Sequence, residues 1–106
     1  MGQKSYATGF GSLAVGHTTT ASGLYSTALG KGTESRGGSG LTIGEYNIID
    51  ETAPLNATTA YGYNKGSYAF TIGNGTSDTR SNALTVDWNG NLDLAGGIKT
   101  NKITAP

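Results

Sequence analysis

The chain contains no cysteine, which removes disulfides as a staple and thiols as nucleophiles. Charge is scarce and balanced: seven basic and seven acidic side chains cancel, so nothing draws the protein to nucleic acid or to an anionic membrane surface. No apolar stretch approaches the roughly 18 residues of a membrane-spanning helix. The start, MGQKSYATG, lacks the hydrophobic region of a signal peptide. Large apolar side chains are also few. Hydrophobic residues make up 35% of a 106-residue chain, near the lower size limit for a domain that buries its own core. What the chain has in excess is glycine, 18 residues, more than double the roughly 7% background. Such a composition belongs to a disordered segment or to a repeat that requires glycine.

The repeat is visible in SYATGFGSLAVGHTTTASGLYSTALGKG, residues 5–32. Glycines fall every seventh residue, at Gly9, Gly16, Gly23, Gly30, Gly37 and Gly44. Two positions before each stands a small residue: Ala7, Ala14, Ala21, Ala28, Ser35 and Thr42. A coiled-coil heptad needs large apolar residues at two positions, and a glycine in every second helical turn costs about 1 kcal/mol each. Spacing by two is instead the strand period, which places both small residues on one face. Each heptad therefore reads as a short strand and a turn.

The residue between the small ones alternates: Thr8, Val15, Ser22, Leu29, Arg36, Ile43. The true repeat is thus 14 residues with two strands per coil. Ala7, Gly9, Ala14, Gly16, Ala21, Gly23, Ala28 and Gly30 are expected in the interior of a flattened roll, where only small side chains fit. Thr8, Ser22 and Arg36 are expected on a solvated outer face, and Val15, Leu29 and Ile43 on an apolar one. Burying each of those three contributes roughly 1.5–3 kcal/mol. A loop of the same chain is one candidate to cover them; self-association is the stronger one, because the stripe is linear and recurs with every coil.

This pattern over residues 5–46 resembles the head repeats (the YadA-like head) of trimeric autotransporter adhesins, which also occur in bacteriophage and prophage tail fibres. Two further stretches, IGEYNIIDE (43–51) and YAFTIGNGTSDTRSNALTVDWNGNLDLAGGI (68–98), are similar to the C-terminal parts of tail-fibre chains. TAPLNATTAYGYNKGS (52–67) departs from that pattern as an insertion. The resemblance implies an all-β fold: a homotrimeric left-handed parallel β-roll of 14-residue coils, followed by a C-terminal cap. Val15, Leu29 and Ile43 would then line the trimer axis. It also implies an extracellular fibre or adhesin tip that binds a cell-surface glycan or protein receptor, with a structural spacer as the alternative. Residues 1–46 are expected to form the roll, 47–66 an irregular inserted loop, and 67–106 a strand and hairpin region belonging to a longer fibre.

From Ser67 onward the residues themselves show the strand period. Tyr68, Phe70 and Ile72 fall on one face of a strand, and Leu84, Val86 and Trp88 on one face of another. Asn89-Gly90 carries the type I′ turn preference, and Leu92 and Leu94 continue on a return strand, giving a hairpin over 83–95 that closes the end of the roll. GGIKTNKITAP reads as an extended exit.

Chemical motifs are weak. DWNGNLD (87–93) has oxygen ligands at alternate positions, but its glycine and its twelfth residue, Ile98, do not fit a calcium-binding EF-hand loop. GFGSLA (9–14) imitates a dinucleotide fingerprint inside a β-repeat, where no helix follows. The two sequons, at Asn56 and Asn74, read as chance. There is one histidine, His17, and the adjacent Asp50 and Glu51 would project apart, so neither a serine triad nor a glycosidase pair is drawn. Neither a cofactor nor a metal is expected; a polysaccharide depolymerase is the remaining enzymatic alternative. Loop aromatics and amides are the better lead, because they suit the apolar face and hydroxyl rim of a sugar. The candidate ligand-binding residues are Tyr46, Tyr61, Tyr63 and Asn64, with Tyr6, Phe10, His17 and Tyr25 near roll turns behind them.

Overall fold

The structure is a computed structural model and describes residues 2–53 and 64–100. The described residues form ten strands and no helix. They are β1 (Gly2–Gln3), β2 (Tyr6–Ala7), β3 (Leu13–His17), β4 (Thr20–Ala21), β5 (Thr27–Lys31), β6 (Glu34–Ser35), β7 (Leu41–Glu45), β8 (Tyr68–Asn74), β9 (Asn82–Asp87) and β10 (Leu92–Leu94). Successive heptads alternate between two sheets. The long sheet has the order β1-β3-β5-β7-β8-β9-β10, and the short one β2-β4-β6. Pairing within the roll is parallel and in register at fourteen residues, as in Ala14↔Ala28 and Ala7↔Ala21. The result is a β-solenoid of about three turns.

Each coil turns two corners, and each corner needs a residue with positive φ. One series is Lys4, Thr18, Gly32 and Tyr46; the other is Gly11, Tyr25 and Ser39. Both recur at fourteen. At the second corner a serine hydroxyl closes the turn, Ser12 onto the Gly9 carbonyl and Ser26 onto that of Gly23.

The interior is thin. Ala14, Ala21 and Ala28 form the buried apolar cluster, and Ser35 and Thr42 continue it where the repeat admits a hydroxyl. Ala7 lies in the outermost described coil of the short sheet and is exposed. Of the glycines expected inside, Gly9 and Gly23 are buried, whereas Gly16 is half-buried and Gly30 exposed. A Cβ on Gly30, at φ +119°, would point along the roll and stop 2.1 Å from the Gly44 carbonyl oxygen of the next coil. Stacking distance between coils, not sheet-to-sheet thickness, demands glycine there.

Ser22 also departs from expectation. It is fully buried rather than solvated, because the backbone leaves the strand at this point: the N–H groups of Ser22 and Gly23 both donate to the Ser35 carbonyl. Thr8 is exposed as expected, and Arg36 is half-buried, folded back onto the Glu34 carboxylate.

β8 joins β7 in parallel and in the roll's own register, Ile43↔Ile72, so the long sheet continues into the C-terminal region without a break. β9 and β10 then add antiparallel. The short sheet does not follow. Its last strand is capped by the side-chain amide of Asn47, 2% exposed, which accepts from the Glu34 N–H at 2.8 Å and donates to the Glu34 carbonyl at 3.0 Å. The amide pairs with β6 as a neighbouring strand would, which satisfies an otherwise open edge. Asn64 adds a second tie, its carbonyl accepting from Gly38 N–H.

Two irregularities re-aim side chains. A register shift between Tyr68 and Phe70 pairs Tyr68 with Asp87, so Tyr68 leaves the face of Phe70 and Ile72 and turns to the inner side. The β9–β10 turn is not type I′, since Gly90 (φ +87°) has positive φ and Asn89 does not. Gly90 N–H bonds the Asp87 carbonyl, and Asp87 N–H bonds the Asn91 carbonyl, which is a type I turn with a glycine bulge. Trp88 therefore sits in the turn rather than on the strand face, its indole N–H donating to the Lys65 carbonyl.

Candidate functional surface

The outer face of the long sheet is the largest chemical feature of the fold. Register places Leu13, Thr27, Leu41, Phe70, Val86 and Leu92 in one row across it. Val15, Leu29, Ile43, Ile72, Leu84 and Leu94 form the next. Thr27 is the one polar member. Val15, Leu29 and Ile43 are half-buried, supported by their row neighbours, while Leu13, Leu41 and Leu92 are 49%, 37% and 56% exposed. A polar row of Gln3, His17, Lys31, Glu45 and Asn74 borders them. His17 ends β3 there, exposed, its Nδ1 beside the Thr18 hydroxyl.

The loop aromatics are placed differently from one another. Tyr46 has its ring against Gly32, where a Cβ would overlap it, and the Arg80 guanidinium lies over it at 5.6 Å. Arg80 also bonds the carbonyls of Gly32 and Asn47 at 2.9 and 3.0 Å, so this group clamps the loop before β9 to a roll corner. Tyr46 acts here in packing. Asn64 is exposed and holds the Gly66 N–H and the Thr52 carbonyl. Tyr61 and Tyr63 lie outside the described residues. At the other corner Phe10 and Tyr25 stand 70% and 54% exposed, edge to face with centroids 6.0 Å apart, and Tyr6 is exposed on the short sheet.

Asp50 and Asp87 are committed to structure. Asp50 accepts from the Thr52 and Ser67 backbone N–H groups, pinning the 50–53 turn to the start of β8. Asp87 accepts from Asn89 N–H and from both the backbone and side-chain amides of Asn91. Those bonds, the Asn91 side-chain amide foremost, hold the Asp87 carboxyl below its ordinary value of 3.8 and occupy the oxygens a calcium ion would need. Among the described residues no group of three or more His, Asp or Glu side chains could hold a metal ion.

The 14-residue coil is built of two short strands, with alanine inside and glycine between coils. Within it, residues 7–33 match the YadA head domain repeat, in two copies. The matched stretch runs from the end of β2 through β3, β4 and β5, and the parallel coiling continues through β7 and, by register, into β8. YadA head domains are non-enzymatic, surface-exposed adhesin modules that typically form trimers. No match was found among curated proteins or among solved structures. The sequence signal missed two parts of this surface. Arg80 and Asn47 are single residues with no periodic partner, and only the folded geometry brings them to the roll.

Proposed function

We propose that this chain is a segment of a homotrimeric surface fibre that recognises a cell-surface glycan without catalysis. The observation that carries the reading is the pair of apolar rows on the outer face of the long sheet. Parallel sheets persist where both faces are covered. Here the short sheet covers one face of the roll's parallel strands, and the other face presents eleven apolar side chains in two rows from β3 to β10. A second and third copy of the chain would cover it about a common axis, with Val15, Leu29 and Ile43 nearest that axis and the rows from β8 to β10 extending the contact. The short-sheet face and the corners carrying Phe10 and Tyr25 stay outside, available to a receptor. Three identical sites per fibre would turn weak single contacts into firm attachment. The YadA head repeats support both the trimer and the extracellular setting; a place at a tail-fibre tip is the form of it that residues 68–98 favour. Light scattering coupled to size exclusion tests the assembly: a mass of three subunits is expected, and a folded monomer refutes it. A glycan array tests recognition, since a spacer would bind nothing on it.

A further inference from the structure

The inner face of the long sheet changes character at its C-terminal edge. One row runs Ala14, Ala28, Thr42, Thr71, Thr85, Asp93. The first five are 0–7% exposed, and the sixth is an exposed carboxylate. Among the described residues the short sheet stops at β6, so β9 and β10 have no second sheet beneath them. Ile48 is fixed over this edge by its N–H, which donates to Asn82 Oδ1 at 2.8 Å, and is 52% exposed. Beneath it is an open cavity of about 190 Å3. Thr85, Asp93, Asn82 and Tyr68 line it, with Ile48, Leu84 and Ala95 as its apolar wall. Tyr68 and Asn82 are there because of the register shifts flanking the Phe70–Ile72 stretch, which turn both toward the inner side.

We infer that this cavity, bounded by Tyr68, Asn82, Thr85, Asp93 and Ile48, is a binding site for one neutral pyranose ring of a glycan. Its size is well below the roughly 300–1,000 Å3 of pockets for drug-sized ligands, so it takes a single ring rather than an oligosaccharide. A carboxylate, an amide and a hydroxyl converge on it, the groups that accept from and donate to vicinal sugar hydroxyls. Tyr68 and Ile48 offer apolar surface for the ring's carbon face. The Asp93 carboxylate takes part in no ion pair among the described residues and repels an acidic sugar, which selects against sialic and uronic acids. Asp93 belongs to no group of three or more His, Asp or Glu side chains among the described residues that could hold a metal ion. Thr85 and Asp93 belong to the inner row, on the side of the sheet away from the two apolar rows. The inference rests on the recognition reading above and names its site.

The test is a titration of the isotope-labelled full chain with the methyl glycosides of glucose, galactose, mannose and N-acetylglucosamine, and with methyl sialoside for comparison. At least one neutral glycoside should shift the backbone amides of Tyr68, Asn82 and Asp93, with a dissociation constant of about 1 mM, the range of a small single-ring contact. Asp93→Ala should weaken that binding at least tenfold, and Tyr25→Ala at the distant corner should not change it. No binding by any neutral glycoside, a preference for the sialoside, shifts centred on Phe10 and Tyr25, or unchanged affinity in Asp93→Ala would each overturn the site. If the cavity fails while the trimer still binds on a glycan array, the recognition reading stands without it. A blank array removes both.

Discussion

Replacing Leu29 by aspartate places a charge in the middle of the second apolar row, between Val15 and Ile43. In the single chain Leu29 is already half-buried, so the fold itself also loses about 1 kcal/mol of burial when the side chain is replaced. Burying a leucine fully is worth roughly 1.5–3 kcal/mol, and only the part still exposed remains to be covered on assembly, about 1 kcal/mol per chain. The substitution is repeated three times about the axis, so lost burial alone costs the trimer about 3 kcal/mol. Three carboxylates facing one another without partners add several more. At 1.4 kcal/mol per tenfold, assembly should weaken by at least about a hundredfold. Light scattering over a dilution series should show monomer where the parent chain is trimer. Thr8→Asp, an exposed position on the short-sheet side, should leave the mass unchanged. The carboxylates are neutralised at low pH, so acid should restore part of the association of Leu29→Asp. A trimer of undiminished stability in Leu29→Asp would show that the outer face of the long sheet does not carry the assembly.

Three further outcomes follow from single positions. Among the described residues the Ser22 hydroxyl is the one buried side-chain oxygen or nitrogen without a hydrogen-bond partner, so Ser22→Ala should raise stability by about 1 kcal/mol in a denaturant titration; a loss of that size would mean the hydroxyl is satisfied after all. Gly30→Ala should cost more than about 3 kcal/mol, because positive φ and contact with the Gly44 carbonyl act together, and a melting temperature within a degree or so of the parent would refute the account of coil stacking. The Asp87 carboxyl is held below its ordinary value of 3.8 in the folded hairpin, so the unfolded chain takes up the proton first as pH falls. Its contribution is whole above the ordinary value and is lost as pH drops through the lower, folded one; amide shifts of Asn89 and Asn91 in an acid titration should follow that loss, and Asp87→Asn should flatten it.

The difference between the two halves of the chain is a difference in how information is repeated. In the roll, every constraint is imposed once per coil: the alanine inside, the glycine against the next coil, the positive-φ corner. A fourteen-residue register therefore shows in the sequence three times over, and the parallel pairing of β3, β5 and β7 was legible from it. What periodicity could not give is the direction in which each small residue is small. Alanine and glycine look alike in a two-residue spacing, yet one meets the opposite sheet and the other meets the backbone stacked against it, with positive φ added at Gly16, Gly30 and Gly44. Ser22 misled for a related reason, since alternation assumes an extended strand and β4 is only two residues long.

Past Glu45 each device occurs once. Asn47 imitates a missing strand, Arg80 clamps a corner, and two register shifts re-aim Tyr68 and Asn82. None has a second copy to reveal it by comparison. Binding residues are of this aperiodic kind, because a repeated residue makes a uniform surface and a site needs a local exception. The inner row makes the point in one line: it stays alanine or threonine for five strands, and becomes Asp93 at β10, the last strand of the long sheet. The repeat therefore identifies the scaffold, and the place where the repeat's rule is first broken with a charge is where specificity is to be sought.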